Sequence, residues 1–430
     1  MSFVTPLSLY LHIPFCRHRC GYCDFNTYAG IETIIPGYIT ALAAEIRWLS
    51  AWNVDKLPLH TVFFGGGTPS LLPAAGIQRI MEEVSNSFQL SENAEFSLEA
   101  NPGTLSLDYL KDLRRLGINR LSIGMQSAHP GELALLEREH SYLDVINSFT
   151  WARKSGFDNI NLDLIFGLPE QVARTWKRSL DLGLGLHPEH FSLYSLTLEH
   201  GTPFGSWSAK GLISQPDPDL AADMYEWACE RLAESSYTHY EISNWAKNVT
   251  KTARSVTSEF SCQHNLQYWK NLPYLGCGAG AHGYFNGVRT ANVLSPYAYI
   301  QRMSGSRIDQ PKTIEKPLQI DVNSITPDLI SSHLLPEFCG SPAAISSQRI
   351  DKQTEMDETM MMGLRLVQEG VSNQVFRDRF GISLDEAYPD QIALLQSQGL
   401  VEWGPPDDAS LCLARKGILL ANRVFVEFIS

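Results

Sequence analysis

Short apolar runs recur along the first half of the chain, and each is followed by a stretch whose apolar residues return every three or four positions. The runs start at Leu7 (LSLYLHI), His60 (HTVFFGG), Glu95 (EFSLEA), Asn119 (NRLSIGM), Asn159 (NINLDLIF) and His190 (HFSLYSLT). Between them lie YITALAAEIRWL, AGIQRIMEEVSNSF and LDYLKDLRRLG, which are amphipathic at helical spacing, the last stopped by Gly117. Six β-then-α units in series predict an α/β fold with a parallel sheet, and right-handed crossovers would curl that sheet toward a partial barrel. In such a barrel functional groups gather at the C-terminal ends of the strands.

From about Pro203 the rhythm weakens. A long helix, LAADMYEWACERLAESS, leads to the β-like HYEIS and then to a Ser/Thr-rich loop around Lys251 to Ser261. After Tyr299 the chain is rich in Pro and Ser without a sustained period, so a linker or insertion is expected there. Order resumes with three helical stretches, ETMMMGLRLVQ, SNQVFRDRF and LDEAYPDQIALLQSQG, and CLARKGILLANRVFVEFI closes the chain, a set with the outline of a winged helix. The expected organisation is a barrel over 1–245, an extension over 246–305, a linker or insertion over 306–353 and a smaller helical domain over 354–430.

With 430 residues, 44% of them hydrophobic, the chain can bury a large core. Its 34 Lys and Arg against 47 Asp and Glu leave a formal charge of −13, which argues against a nucleic-acid surface or a binder of anionic membranes. The winged-helix-like part likewise lacks a concentrated basic face. No apolar run approaches the roughly 20 residues that span a bilayer, and MSFVTPLSLYLHIPFC carries no basic leader, so a cytoplasmic protein is expected. Of eight cysteines, Cys229, Cys262, Cys277, Cys339 and Cys412 are scattered, which suits a reducing compartment rather than a disulfide framework.

The other three are packed together: Cys16, Cys20 and Cys23 in HIPFCRHRCGYCDF. One tight loop with three thiolates can hold a four-iron cluster by three corners and leave the fourth iron open for chemistry. Zinc competes for the same loop, with His12 or His18 as a fourth ligand, and the spacing alone leaves both open. GGGTPS follows the strand TVFF; Gly66, Gly67 and Thr68 let a ligand approach the backbone closely, and the run lacks the lysine of a phosphate loop. Glu99, Gln126, Arg138 and Asp163 fall at or after successive strand ends, where they would ring a ligand bearing hydroxyls, an amine and a carboxylate. One such residue alone is ordinary surface polarity, but four on one rim are not.

Together the cysteine loop, GGGTP, Glu99 before ANP, the R-x-S-x-G-x-Q of Arg120 to Gln126 and LDLIFGLPEQ resemble the radical S-adenosylmethionine superfamily, and within it the group around oxygen-independent coproporphyrinogen III oxidase. The resemblance covers most of residues 1–300 and extends to that group's C-terminal accessory domain. It implies a six-unit (β/α) partial barrel with S-adenosylmethionine on the open iron. Cys16, Cys20 and Cys23 would hold a [4Fe-4S] cluster; Tyr10 and, through its backbone, Tyr22 would lie against S-adenosylmethionine. Gly66, Gly67 and Thr68 would bind its methionine end, and Glu99, Gln126, Arg138 and Asp163 would complete the pocket.

Within this group the chain departs from the oxidase. Phe25 stands where the oxidase has a further cysteine, and only nine residues precede Tyr10 in place of a long extension. HNLQYW (His264, Asn265, Tyr268 and Trp269 its fixed positions) matches the H-N-x-x-Y-W pattern of the haem chaperone HemW family. A histidine can ligate haem iron while Tyr and Trp offer flat faces to a porphyrin. That resemblance implies haem as cargo, an acceptor protein, and an electron donor if S-adenosylmethionine is cleaved; the alternative is radical decarboxylation of coproporphyrinogen. His282 stays outside the ligand set, and no C-x-x-C-H is present to suggest covalent haem.

Overall fold

Strands covered on both faces need not alternate, and the first six runs do not. In the computed structural model, which describes residues 7–52, 56–248, 258–305, 338–404 and 409–429, they form Leu7–Ile13 (β1), Pro58–Gly66 (β2), Gln89–Ala100 (β3), Arg120–Gln126 (β4), Ile160–Phe166 (β5) and His190–Ser195 (β6). These pair in parallel in chain order. β1, β4 and β5 are buried at nearly every position, as a sheet with helices on one side and a filled interior on the other requires. Five crossovers carry the helices Ile35–Ser50 (α1), Ala74–Ser87 (α2), Leu107–Arg115 (α3), Tyr142–Lys154 (α4) and Ala173–Leu184 (α5). Side chains fix where two of them begin: Ser106 caps α3, and Ser141 with Asp144 forms a capping box on α4. The intervening loops are thereby held at the rim above the strand ends.

The sheet is larger than six strands. Tyr237–Glu241 (β7) and Asn244–Lys247 (β8) extend it antiparallel beyond β6. On the other side Tyr274–Cys277 (β9) pairs in parallel with β1, followed by antiparallel His282–Phe285 (β10), Val288–Asn292 (β11) and Ala344–Arg349 (β12). The 246–305 span is therefore continuous with the barrel sheet. The end of the 306–353 span, expected as linker, is the edge strand β12. Most of its side chains are exposed, so its composition shows no apolar alternation to betray a strand. Residues 306–337, and 249–257 of the Ser/Thr-rich loop, lie outside the described residues.

The C-terminal part has its own core, with Met360, Phe376, Leu384, Leu395, Leu411 and Val424 at its centre. Helices Lys352–Gly363 and Asn373–Phe380 pack with an antiparallel sheet of Val371–Ser372, Ser410–Leu413 and Val401–Trp403. The third expected helix is two, Leu384–Ala387 and Pro389–Ser397, because Pro389 has no amide to donate and restarts the helix at its first position.

Candidate functional site

The cysteine loop leaves the end of β1 and is tied at its base by a short parallel ladder of Phe15–Cys16 with Tyr28–Ala29. Glu137 holds its middle, its carboxylate accepting from the Gly21 amide (3.1 Å) and from His18 Nε2 (2.6 Å). The three sulfurs face donors or hydroxyls: Thr68 Oγ1 lies 3.7 Å from Cys16, Arg138 Nη1 3.9 Å from Cys20 and Thr27 Oγ1 3.9 Å from Cys23. Burial pushes the Cys16 and Cys23 thiols up, so metal binding would drive their deprotonation. All three cysteines line one cleft of about 820 Å³.

Zinc fits this arrangement poorly. Among the described residues no group of three or more His, Cys, Asp or Glu side chains could hold one metal ion. Both histidines proposed as a fourth ligand are engaged, His18 by Glu137, and His12 by Tyr10 Oη (3.1 Å) and the Asn26 carbonyl (2.9 Å). Thiols spread along one wall suit three corners of an iron–sulfur cube, where each binds a different iron.

The same cleft receives most of the rim residues. Gly66, Gly67 and Thr68 form one side, and Tyr22 lines it with its ring packed on Phe204, 6.2 Å between centroids. The three loop amides are committed: Gly66 N donates to Glu99 (3.0 Å), Gly67 N to the Ile13 carbonyl (2.8 Å) and Thr68 N to the Phe15 carbonyl (2.8 Å). The loop therefore offers a ligand acceptors rather than donors. A Cβ on Gly67 would stand 2.7 Å from the Phe15 carbonyl, 2.9 Å from that of Ile13 and 3.1 Å from Cys16 Sγ. Glu99, Gln126, Arg138 and Asp163 line the floor, with Gln126 held at φ +60°, in the left-handed region. Burial, reinforced by Asp163, pushes the Glu99 carboxyl up to about 7, and burial raises Asp163 as well. Arg138 Nε is buried without a partner. Two carboxyl groups that gain by facing a cation, and a guanidinium that gains by facing an anion, suit an amine and a carboxylate on one ligand.

Behind the floor lies a second cavity of about 190 Å³, sharing Glu99, Ser122, Asp163 and Tyr194 with the cleft. Tyr10 lines this inner cavity, not the cleft, as do His264, Asn265 and Tyr268. His264 was expected to offer a nitrogen to haem iron, but both are occupied. Thr61 Oγ1 spends its proton on Ser8 (2.6 Å), so His264 Nδ1 donates to it (2.8 Å) and Nε2 accepts from Tyr268 Oη (2.9 Å). The ring stacks on Phe63 at 5.0 Å, and burial holds it neutral, its pKa near 3.

Trp269 faces away from both cavities. Its ring lies 4.4 Å from the Arg365 guanidinium of the C-terminal domain and packs with Tyr240, Leu266 and Leu366. The motif helix Gln263–Trp269 is held at both ends. Glu95 of β3 accepts from the Gln263 and His264 amides (3.0 and 3.3 Å), and Arg379 donates to the Asn271 carbonyl (2.9 Å), with Lys270 paired to Glu369 (2.9 Å). Sequence reasoning gives no site role to three residues here: Glu137; His140, buried on the cleft with Nδ1 unpartnered; and Arg120, on the inner cavity, which entered only as the first position of the R-x-S-x-G-x-Q pattern. For Arg120 a signal existed, an arginine opening an otherwise apolar strand.

The family model of the Radical SAM superfamily matches residues 10–183, and that of the HemN C-terminal domain matches residues 350–420. A relative described as heme chaperone HemW from Bacillus subtilis is 35% identical over 98% of this chain and 99% of its own. One of the same description from Escherichia coli is 35% identical over 75% of this chain and 83% of its own. The solved coproporphyrinogen III oxidase of Escherichia coli, a radical SAM enzyme, superposes with a TM-score of 0.76 at 22% identity over 99% of this chain and 90% of that one, a likeness of fold. By end-to-end sequence identity the chain belongs to the HemW family of the radical SAM superfamily.

Proposed function

We propose that this chain binds haem and hands it to an acceptor protein, with a [4Fe-4S] cluster and S-adenosylmethionine held in the cleft. The observation that carries the reading is the 35% identity with a haem chaperone over the whole length, barrel and C-terminal domain alike. The H-N-x-x-Y-W helix on the inner wall supports it. Cys16, Cys20 and Cys23 would hold the cluster, which when bound supplies an electron to the sulfonium of S-adenosylmethionine if a donor protein reduces it. Glu99 and Asp163 would face the amine, Arg138 the carboxylate, and Gly66 to Thr68 the methionine end; Gln126 and the backbone of Tyr22 would close the pocket. Tyr10 would act from the inner side, through the wall it shares with Glu99. Among the described residues no helix is long and apolar enough to cross a membrane, and we place the protein in the cytoplasm, where exposed thiols stay reduced.

The haem macrocycle needs more room than the inner cavity of about 190 Å³, since sites for even drug-sized ligands begin near about 300 Å³. The cleft, at about 820 Å³, is the larger space, and the macrocycle would share it with the cluster and S-adenosylmethionine. Phe25, 63% exposed on its wall, adds apolar surface where the oxidase carries a cysteine. The test is anaerobic purification with iron and sulfide analysis, followed by haem titration. Near-stoichiometric cluster and a saturable Soret shift are expected, and no Soret change with an intact cluster would defeat the reading. His264→Ala assigns the motif histidine: an unchanged axial signature leaves it in the wall, and loss of that signature moves it to the iron.

A further inference from the structure

Arg120 opens β4 only 2% exposed, lines the inner cavity, and has no hydrogen-bond or ion-pair partner among the described residues. Glu95, Asp163 and Glu99 attract its charge from nearby, but their hydrogen bonds go elsewhere, that of Glu99 to the Gly66 amide. Glu95 takes the amides of the motif helix, and Asp163 takes the Ser122 hydroxyl (2.7 Å) and the Asn161 amide (2.8 Å). Asn265 lines the same cavity, and its side-chain amide likewise has no hydrogen bond to the described residues. Nearby carboxyls offset the charge of Arg120, but its buried Nε–H has no acceptor; a buried N–H left unbonded is costly, so the space in front of it calls for one. The cavity, about 190 Å³, is too small for a macrocycle but large enough for a short arm ending in two oxygens.

The geometry points to a carboxylate site in the inner cavity, with the fork of Arg120 on its two oxygens and the Asn265 amide as a third donor. A guanidinium matches a carboxylate in plane and spacing, which a water cluster does not exploit. The carboxylate has two sources, a propionate arm of the tetrapyrrole reaching in past the wall shared with the cleft, or a free short-chain acid. The first source rests on the haem reading above, and the second does not.

The experiment uses the cluster-loaded full chain, with haem and its dimethyl ester as paired ligands and sodium propionate as the free acid. If the arm enters, the wild type binds haem at least about tenfold tighter than the ester, and Arg120→Gln removes that ratio while leaving the ester's affinity unchanged. If a free acid is the ligand, haem and ester bind alike, and propionate raises the melting temperature of the wild type but not of Arg120→Gln. Asn265→Ala, which keeps the guanidinium, should reduce either effect severalfold and serves if Arg120→Gln does not fold. A ratio near one in the wild type together with no propionate-dependent stabilisation overturns the carboxylate site. Failure of both porphyrins to bind, with propionate still stabilising the wild type, would instead remove the haem reading and keep the site.

Discussion

Replacing Gly67 with alanine tests whether the glycine loop and the cysteine loop form one device. The added Cβ would stand 2.7 and 2.9 Å from the Phe15 and Ile13 carbonyl oxygens and 3.1 Å from Cys16 Sγ, against 3.4 Å for an ordinary contact. Relief therefore requires displacements of about 0.7, 0.5 and 0.3 Å, and two of the three obstacles are backbone. Those carbonyls accept the Gly67 and Thr68 amides, so the shift travels along both loops at once. Overpacking of this kind costs about 1–3 kcal/mol of stability, which a core of this size tolerates. Metal–ligand distances tolerate only about 0.2 Å, so the cluster should suffer far more than the fold. The expected outcome is a folded protein by circular dichroism, a severalfold loss of iron and sulfide after anaerobic purification, and S-adenosylmethionine affinity at least about tenfold weaker. Wild-type iron content and affinity in Gly67→Ala would refute the coupling of the two loops.

Two further predictions concern the barrel's junction with the C-terminal domain. Glu241 is fully buried, and burial pushes its carboxyl from 4.5 up to about 7, with Arg365 opposing. Because the folded value exceeds the unfolded one, its contribution falls as pH rises from about 4.5 to about 7, by up to about 3 kcal/mol, and is flat above. Glu241→Gln should therefore gain on the wild type in melting temperature across that window, and a gap that stays constant from pH 5 to 8 contradicts the assignment. The Trp269–Arg365 contact should give a coupling of about 1 kcal/mol in a double-mutant cycle of Trp269→Leu and Arg365→Met, read from C-terminal-domain unfolding. Additive effects would show that the contact is packing alone.

Much of this was legible in the chain because the barrel obeys local rules. Runs such as LSLYLHI and NLDLIF are apolar on both faces, and Glu99, Gln126, Arg138 and Asp163 line one cleft with the cysteines, although only Glu99 and Gln126 sit at strand ends: Asp163 is in the middle of β5 and Arg138 follows the helix Pro130–Leu135. What escaped is what depends on distant partners. Tyr274–Cys277 is too short to signal a strand until β1 lies beside it, and Ala344–Arg349 keeps most of its side chains in solvent. That His264 is already spoken for depends on Thr61, some two hundred positions earlier. Trp269 lies one residue beyond Tyr268 in the chain, yet the turn of a short helix points it toward a different domain.

The helix Gln263–Trp269 is a beam clamped at both supports, one in the barrel and one in the small domain. Load placed on either support bends the span between them. A protein that docks on the small domain and tilts it would strain the wall carrying His264 and Tyr268 without touching the cleft. Excising that domain would leave the span cantilevered from Glu95 alone, so haem measurements on an isolated barrel would describe a different wall.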